Sequence, residues 1–444
     1  MDYKQKYLKY KQKYLKLLKD QKGGEPFLSD ILASLTFSYL FKRNQSQLKL
    51  IFFGTQPTPM LPLRNITLNH QHRLNLLCKG RLSILLAIIL TEGTQFQLAK
   101  RILSRTSKQP SISQSVNVAN LTGHTGWVHC VAFHSKVRLM ATGSQDRTVK
   151  LWNFNPDGTI WNCVTTLNMY NPVHSVAFHP TLLRLAACSY NSAKVLDLDP
   201  TIQYDNITAI KETQVATLNG HTNSITCITF HESMNYENMN LLAISSYDSV
   251  NIWGFFKSGD YRLLVTLNED YYKCVAFHSK LPFMATGSDN RTVKLWHLDF
   301  TFGTRNLICM ATLEGHTERV TSVAFHPSLQ LLATSSADKT VKLWHWDGTL
   351  KTSITTTCVA TLKEHTNEVR SVVFHRNLPI LATGSIDNTA KIWHLVDRPD
   401  GSITVTCVAT LDHGNDNGVL SVAFNESLNL LATGSYDWTA KLWK

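Results

Sequence analysis

The chain reads as an all-β protein, a seven-bladed β-propeller closed by an N-terminal strand, with a basic, mostly helical N-terminal extension. Three observations predict this. One sentence recurs seven times between Leu121 and the last residue, most clearly over residues 311–344 as ATLEGHTERVTSVAFHPSLQLLATSSADKTVKLW, and its closing positions are Trp152, Leu196, Trp253, Trp296, Trp344, Trp393 and Trp443. These lie 43 to 57 residues apart, the period of a propeller or solenoid array. Within a copy, apolar and polar residues alternate over Val320–Phe325, Leu331–Ser335 and Thr340–Trp344, and a fourth run, Val359–Leu362, opens the next copy. Units of four short strands cannot bury both faces alone, so they stack radially as blades. Finally, the chain stops at Lys444, leaving the seventh blade without an outer strand, and Val116–Leu121 aligns with Ile308–Leu313 and can supply it. That pairing would latch the ring and remove an exposed edge.

In chain order, residues 1–24 come first as a basic heptad-like helix. Tyr3, Tyr7, Tyr10, Tyr14 and Leu17 fall at heptad spacing among lysines, and Gly23-Gly24 ends the helix. Residues 25–110 form a helical or poorly ordered extension. Phe27–Phe41 and Leu74–Leu90 have helical patterning, Pro57, Pro59 and Pro62 break the stretch between them, and the apolar run Ile84–Leu90 is too short to span a bilayer. Residues 1–110 hold 19 Lys+Arg against 5 Asp+Glu, a net charge of +14, whereas residues 111–444 carry −2. The basic excess therefore belongs to the extension, where a self-association helix, a polyanion-binding arm and a membrane-surface helix compete with a merely solvated segment. Residues 111–444 are the propeller.

Nine cysteines show no metal-ligand spacing, and Cys309, Cys358 and Cys407 recur every 49 residues at one repeat position, which reads as small buried hydrophobes in a reducing compartment. With no signal peptide at the start, the expected setting is intracellular. His134, His179, His231, His278, His326 and His375 each follow the phenylalanine of the innermost strand. They belong to different blades, so they do not converge as metal ligands and read as products of duplication.

The repeat closely resembles the WD-repeat β-propeller family over residues 111–444, about three quarters of the chain. The resemblance implies a hydrogen-bonded set in each blade: His before the inner strand, Ser or Thr on the second strand, Asp in the tight turn and Trp on the third strand. Here the set reads His124, Ser144, Asp146, Trp152; His221, Ser246, Asp248, Trp253; His316, Ser336, Asp338, Trp344; and His365, Ser385, Asp387, Trp393. In blade 7 it reads Ser435, Asp437 and Trp443, with His413 displaced by a two-residue insertion. Two hydroxyls share a face, for example Thr142 and Ser144, and the sequence leaves the choice between them open. Blade 2 offers Met169, Asn191 and Leu196, and blade 4 offers Asn290 with a shortened turn through Asn268–Tyr271, so both are expected to lean on their neighbours. Because the His/Ser/Asp grouping recurs in five blades, it is structural and not a catalytic triad.

The N-terminal Lys/Tyr repeat resembles those of proteins from giant DNA viruses of amoebae, implying the cytoplasm of an infected host cell. Leu28-Ser29-Asp30-Ile31-Leu32 followed by Ser38-Tyr39-Leu40 faintly resembles the opening of an F-box, without its leading Leu-Pro.

Function is expected where the repeat varies. The residues before each turn aspartate are Gln145, Tyr190, Tyr247, Asp289, Ala337, Ile386 and Tyr436, and those three after the turn histidine include Trp127, Ser224, Arg319 and Glu368. Exposed Trp, Tyr and Arg dominate interface energetics. Trp127, Tyr190, Tyr247, Arg319 and Tyr436 are therefore the expected partner-binding residues for a protein or peptide on the top face, against the alternative that they only cap the core. No catalytic residue, metal ligand, cofactor or transmembrane segment is expected, since no Gly-rich phosphate loop, metal spacing or lone activated nucleophile is found. The expectation is a non-enzymatic protein–protein interaction scaffold. The alternatives are a ubiquitin-ligase substrate receptor using the F-box-like segment, or a nucleic-acid-associated protein using the basic arm.

Overall fold

The computed structural model describes residues 116–203, 206–231, 239–256, 260–268, 270–300, 305–347, 354–397 and 403–444. The expected basic helix over residues 1–24, the extension over residues 25–110 and its F-box-like segment lie outside the described residues.

Among the described residues, the strands form seven antiparallel four-stranded sheets. Blade 5 is Val320–Phe325, Leu331–Ser336, Val341–Asp347 and Thr355–Leu362, from the inside outward. Its second strand, LLATSS, is buried at every position because neighbouring blades cover both faces. Small residues there make room for the next blade: a Cβ on Gly143 would lie 2.6 Å from both Cys130 Sγ and Val173 Cγ1, and one on Gly287 would lie 2.6 Å from Cys274 Sγ and Val320 Cγ1. The innermost strands run Val128–Phe133, Val173–Phe178, Ile225–Phe230, Tyr272–Phe277, Val320–Phe325, Val369–Phe374 and Val419–Asn425. Each touches the next, and the seventh touches the first, so the ring closes around an axis.

The latch is present. Asn117–Leu121 pairs antiparallel with Ala440–Trp443 in the sheet of Val419–Asn425 and Leu430–Ser435, with Leu121 opposite Ala440 and Asn117 opposite Trp443. Val116 and Lys444 exchange both backbone hydrogen bonds at 3.1 Å. Leu121, Val128, Met140 and Trp152 pack with Ala432, Ala440 and Leu442 into one core across this seam, each large side chain contributing about 1.5–3 kcal/mol on burial.

The polar sets hold the turns at one end of the blades. In blade 1, His124 donates from Nδ1 to Asp146 Oδ2 at 2.8 Å, Thr142 Oγ1 donates to His124 Nε2 at 2.7 Å, and the Trp152 indole N–H donates to Thr142 Oγ1 at 2.9 Å. Blades 5 and 6 repeat the chain through His316, Thr334, Asp338 and Trp344 and through His365, Thr383, Asp387 and Trp393. The hydroxyl is therefore the threonine, a correction to Ser144, Ser336, Ser385 and Ser435. Those serines sit at the strand end over the turn, donating to the carbonyls of Gly126, Glu318, Asn367 and Asn417 and accepting the turn aspartate's N–H. The threonine, two residues deeper on the same face, is level with the indole.

Blade 3 shows what the threonine does. Ile244 occupies its place, and His221 Nδ1 turns instead to Ser246 at 2.7 Å and Ser249 at 2.9 Å, while Trp253 Nε1 is buried without an acceptor. Ser246 in turn bonds Asp248. In blade 7, His413 Nε2 keeps Thr433 at 2.9 Å and Trp443 donates to the same hydroxyl, but Asp437 pairs with Lys441 at 2.9 Å. In blade 4, Asp270 accepts from Asn290 at 2.6 Å and pairs with Lys294 at 2.9 Å, while Trp296 still reaches Thr286. Blade 2 has none of these, and Arg184 clamps Asp197 at 2.5 and 2.9 Å and donates at 2.8 Å to Tyr261 of blade 3. Burial raises the pKa of Asp146, Asp338 and Asp387, but hydrogen bonds from the histidine, the following threonine and a backbone N–H outweigh it and hold all three below the usual carboxylate range, Asp146 at about 2.

The histidines after the innermost strands staple the opposite end. Nδ1 of His134, His179, His278, His326 and His375 accepts two successive backbone N–H groups of the next turn, as between His134 and Lys136 and Val137 at 3.1 and 3.0 Å. Each of the six rings also lies 5.0–5.4 Å from the innermost-strand phenylalanine of the following blade. In blade 7, Asn425 Oδ1 caps the turn instead.

Two predictions follow from this packing. Trp344→Phe discards a made hydrogen bond whereas Trp253→Phe discards an unmet donor, so the first should destabilise by about 1 kcal/mol more in urea unfolding; equal losses would contradict the threonine's role. Burial lowers the pKa of the six staple histidines, to about 4 for His179, His231 and His278. The unfolded chain then binds more protons below about pH 6.5, so stability is full above that pH and falls steadily toward pH 4. A urea midpoint unchanged or rising between pH 7.5 and 5 would refute this.

Candidate protein-docking face

The turn between the second and third strands places its fourth residue in the left-handed region: Arg147, Arg291, Lys339, Asn388 and Trp438 have φ of 67 to 73°. Asn tolerates this conformation, but a bulky residue such as Trp438 is strained there. Backbone bonds then knit the two variable rows together. The N–H of Gln145, Ala337, Ile386 and Tyr436 donates to the carbonyl of Trp127, Arg319, Glu368 and Gly418 at 2.8–3.0 Å. Both rows thus share one end of the ring, the end carrying the turn aspartates.

Of the five expected docking residues, two meet directly. Trp127, 45% exposed, lies with its ring 4.7 Å from that of Tyr436, joining blades 7 and 1. Tyr247 is held by Lys273, whose ammonium is 2.6 Å from the phenol oxygen and 3.9 Å above the ring. Arg319 pairs with Glu368 at 3.1 Å, and Arg370 reaches the same carboxylate at 3.1 Å. Tyr190 is 54% exposed, on the tight Ser189–Ser192 turn of blade 2, and joins none of these three groups among the described residues.

Several residues of this face escaped the sequence reading. Trp438, 51% exposed, lies two residues beyond Tyr436. Thr366, Asn367, Asp416 and Gly418 join the expected Ile386 and Tyr436 in lining a cleft of about 490 Å³ between blades 6 and 7. The second residue of each innermost strand is His129, His174, Thr226, Lys273, Thr321, Arg370 or Leu420, and all seven are half-buried beside a fully buried first residue. A comparison of that single position across the seven copies was the available signal.

Among the described residues, no three His, Cys, Asp or Glu side chains are grouped to hold a metal ion, and no helix is long and apolar enough to cross a membrane. The periodic cysteines need correction: Cys309 and Cys358 are exposed and Cys407 half-buried, because they lie on outermost strands that no further blade covers.

The matches to known proteins follow the same blades. The chain is 33% identical over 215 residues to pre-mRNA-processing factor 19 of Oryza sativa subsp. japonica, covering 40% of each protein. It is 31% identical over 93 residues to the small ribosomal subunit protein RACK1 of Candida albicans, covering 21% of this chain and 28% of that one. It is 32% identical over 144 residues to a protein of Schizosaccharomyces pombe named as a probable cytosolic Fe–S cluster assembly factor, covering 31% of this chain and 20% of that one. The chain thus spans less than half the length of each of these relatives. Such propellers typically bind proteins and are generally non-enzymatic scaffolds. The family model for the WD domain, G-beta repeat, matches residues 115–153, 161–197, 212–253, 263–297, 307–345, 356–394 and 405–444, one match per blade, and the chain belongs to the WD40 family.

Proposed function

We propose that this protein is a non-enzymatic interaction scaffold that captures a protein or peptide on the turn-bearing face of its propeller. The observation that carries the reading is the pairing of exposed Trp127 with half-buried Tyr436, rings 4.7 Å apart and tilted by 56°, at the seam of two blades and beside a polar cleft. Solvent-facing aromatics cost little entropy to immobilise and bring large contact area, which makes them interface anchors. Trp438 extends the apolar surface, while Tyr247, Arg319 and the cleft supply polar contacts around it. The rigid ring beneath keeps the anchors in place before the partner arrives, lowering the cost of ordering on binding. The basic residues 1–24 offer a second contact, to a polyanion or to another copy.

The test is affinity capture from cells with the full-length chain and with its Trp127→Ala/Tyr436→Ala variant. Partners retained by the parent should be lost at least tenfold by the variant, whose melting temperature should stay close to that of the parent because both rings are solvent-facing or half-buried. An unchanged set of partners would remove this face from consideration.

A further inference from the structure

The innermost strands ring the axis, and the second residues of those in blades 1, 2, 4 and 6 act on one another at its docking-face end, the channel mouth. His129 of blade 1 and His174 of blade 2 lie with ring centroids 5.1 Å apart. His129 Nε2 is 2.8 Å from Gln145 Oε1, and His174 has only its ring contact among the described residues. Cations from other blades act on the pair: Lys273 of blade 4 on His174, and Arg370 of blade 6 on His129. Two acidic groups are present as well. Glu368 is already shared by Arg319 and Arg370 at 3.1 Å, and Asp289 is 3.8 Å from Lys273. The remaining innermost positions, Thr226, Thr321 and Leu420, are uncharged. Tyr247 joins the mouth through Lys273, and the adjoining thiols of Cys130, Cys227 and Cys274 are pushed upward by burial and stay protonated. Three cations thus face two carboxylates, before either imidazole titrates.

We infer that this mouth receives a carboxylate of an acidic peptide segment, and that the His129–His174 pair takes up a proton as the carboxylate enters, so that docking tightens as pH falls. The inference rests on the docking-face reading and specifies the partner's chemistry. Charge complementarity carries it: a cationic side chain would meet Lys273, Arg370 and a potential imidazolium, whereas a carboxylate neutralises them. In the empty mouth, burial, the neighbouring imidazole and Lys273 hold His174 down at about 4, and burial followed by Arg370 lowers His129 despite the opposing bond to Gln145. A carboxylate within about 4–6 Å reverses the unfavourable charge environment and favours imidazolium. Proton uptake by one group sets a limit of about tenfold in affinity per pH unit.

The experiment uses the full-length chain and fluorescein-labelled hexaglutamate, followed by fluorescence anisotropy at constant ionic strength, with hexalysine as the opposite-charge control. Binding should tighten at least about fivefold from pH 7.5 to 5.5, and the response should vanish in His129→Gln/His174→Gln. Any contact to the basic N-terminal extension, its His70 and His72 included, is common to both proteins and cancels in the difference between them. A second measurement needs no variant: calorimetry at pH 6.5 in buffers of different ionisation enthalpy should report net proton uptake on binding hexaglutamate. Equal binding of hexalysine, no proton uptake, or a pH response retained by the double variant would overturn the inference. If it fails while Trp127→Ala/Tyr436→Ala still loses cellular partners, the docking face stands and only its acidic ligand is wrong.

Discussion

A propeller blade is stable only between two neighbours, so the molecule depends on the one place where chain connectivity does not supply the neighbour. Here that place is the pairing of Asn117–Leu121 with Ala440–Trp443, which gives blade 7 its outermost strand from the opposite end of the repeat array. Without it, the Trp443 sheet would be left three-stranded with an open edge, and the core that joins Leu121 and Trp152 to Leu442 would lose one wall. The Trp127–Tyr436 ring contact crosses the same seam. Ring closure and the docking face therefore share a structural origin.

Around that closure, the blades are held in two ways at their two ends. The turn-bearing end uses a relay of carboxylate, imidazole, threonine hydroxyl and indole, whose members are valuable chiefly because each would be costly to bury alone. Blades that depart from the relay find other partners: Asp270 with Lys294 in blade 4, Lys441 with Asp437 in blade 7, and Arg184 with Asp197 and Tyr261 across blades 2 and 3. The opposite end uses histidines that cap their own turn through Nδ1 and lay the ring against the next blade's phenylalanine. With ends fixed this way, the side chains on the docking face can vary without loosening the fold.

The fold was legible in the sequence because its cause is periodic: alternation within a strand, a fixed interval between copies, and a final copy one strand short. The His, Asp and Trp members of the relay were legible for the same reason. The threonine was not, since Thr142 and Ser144 lie on one face two residues apart and only depth in the strand separates them. Contacts between copies were harder to see. His134 meets Phe178, and His129 meets His174, only once adjacent blades are side by side, and nothing within one copy announces either contact. The aromatic anchors Trp127 and Tyr436 were visible as departures from the repeat, but Trp438 was hidden because its turn position gave no reason to expect an aromatic ring in a left-handed conformation.

Native-state hydrogen exchange of the full-length chain tests the closed ring most directly. If Asn117–Leu121 belongs to the sheet of blade 7, its bonded amides and those of Ala440–Lys444 should open together, with free energies within about 1 kcal/mol of each other and the same denaturant dependence. Fast, denaturant-independent exchange of residues 117–121 beside a protected third strand would show that the ring is not latched by this pairing, and the account built on it would fail.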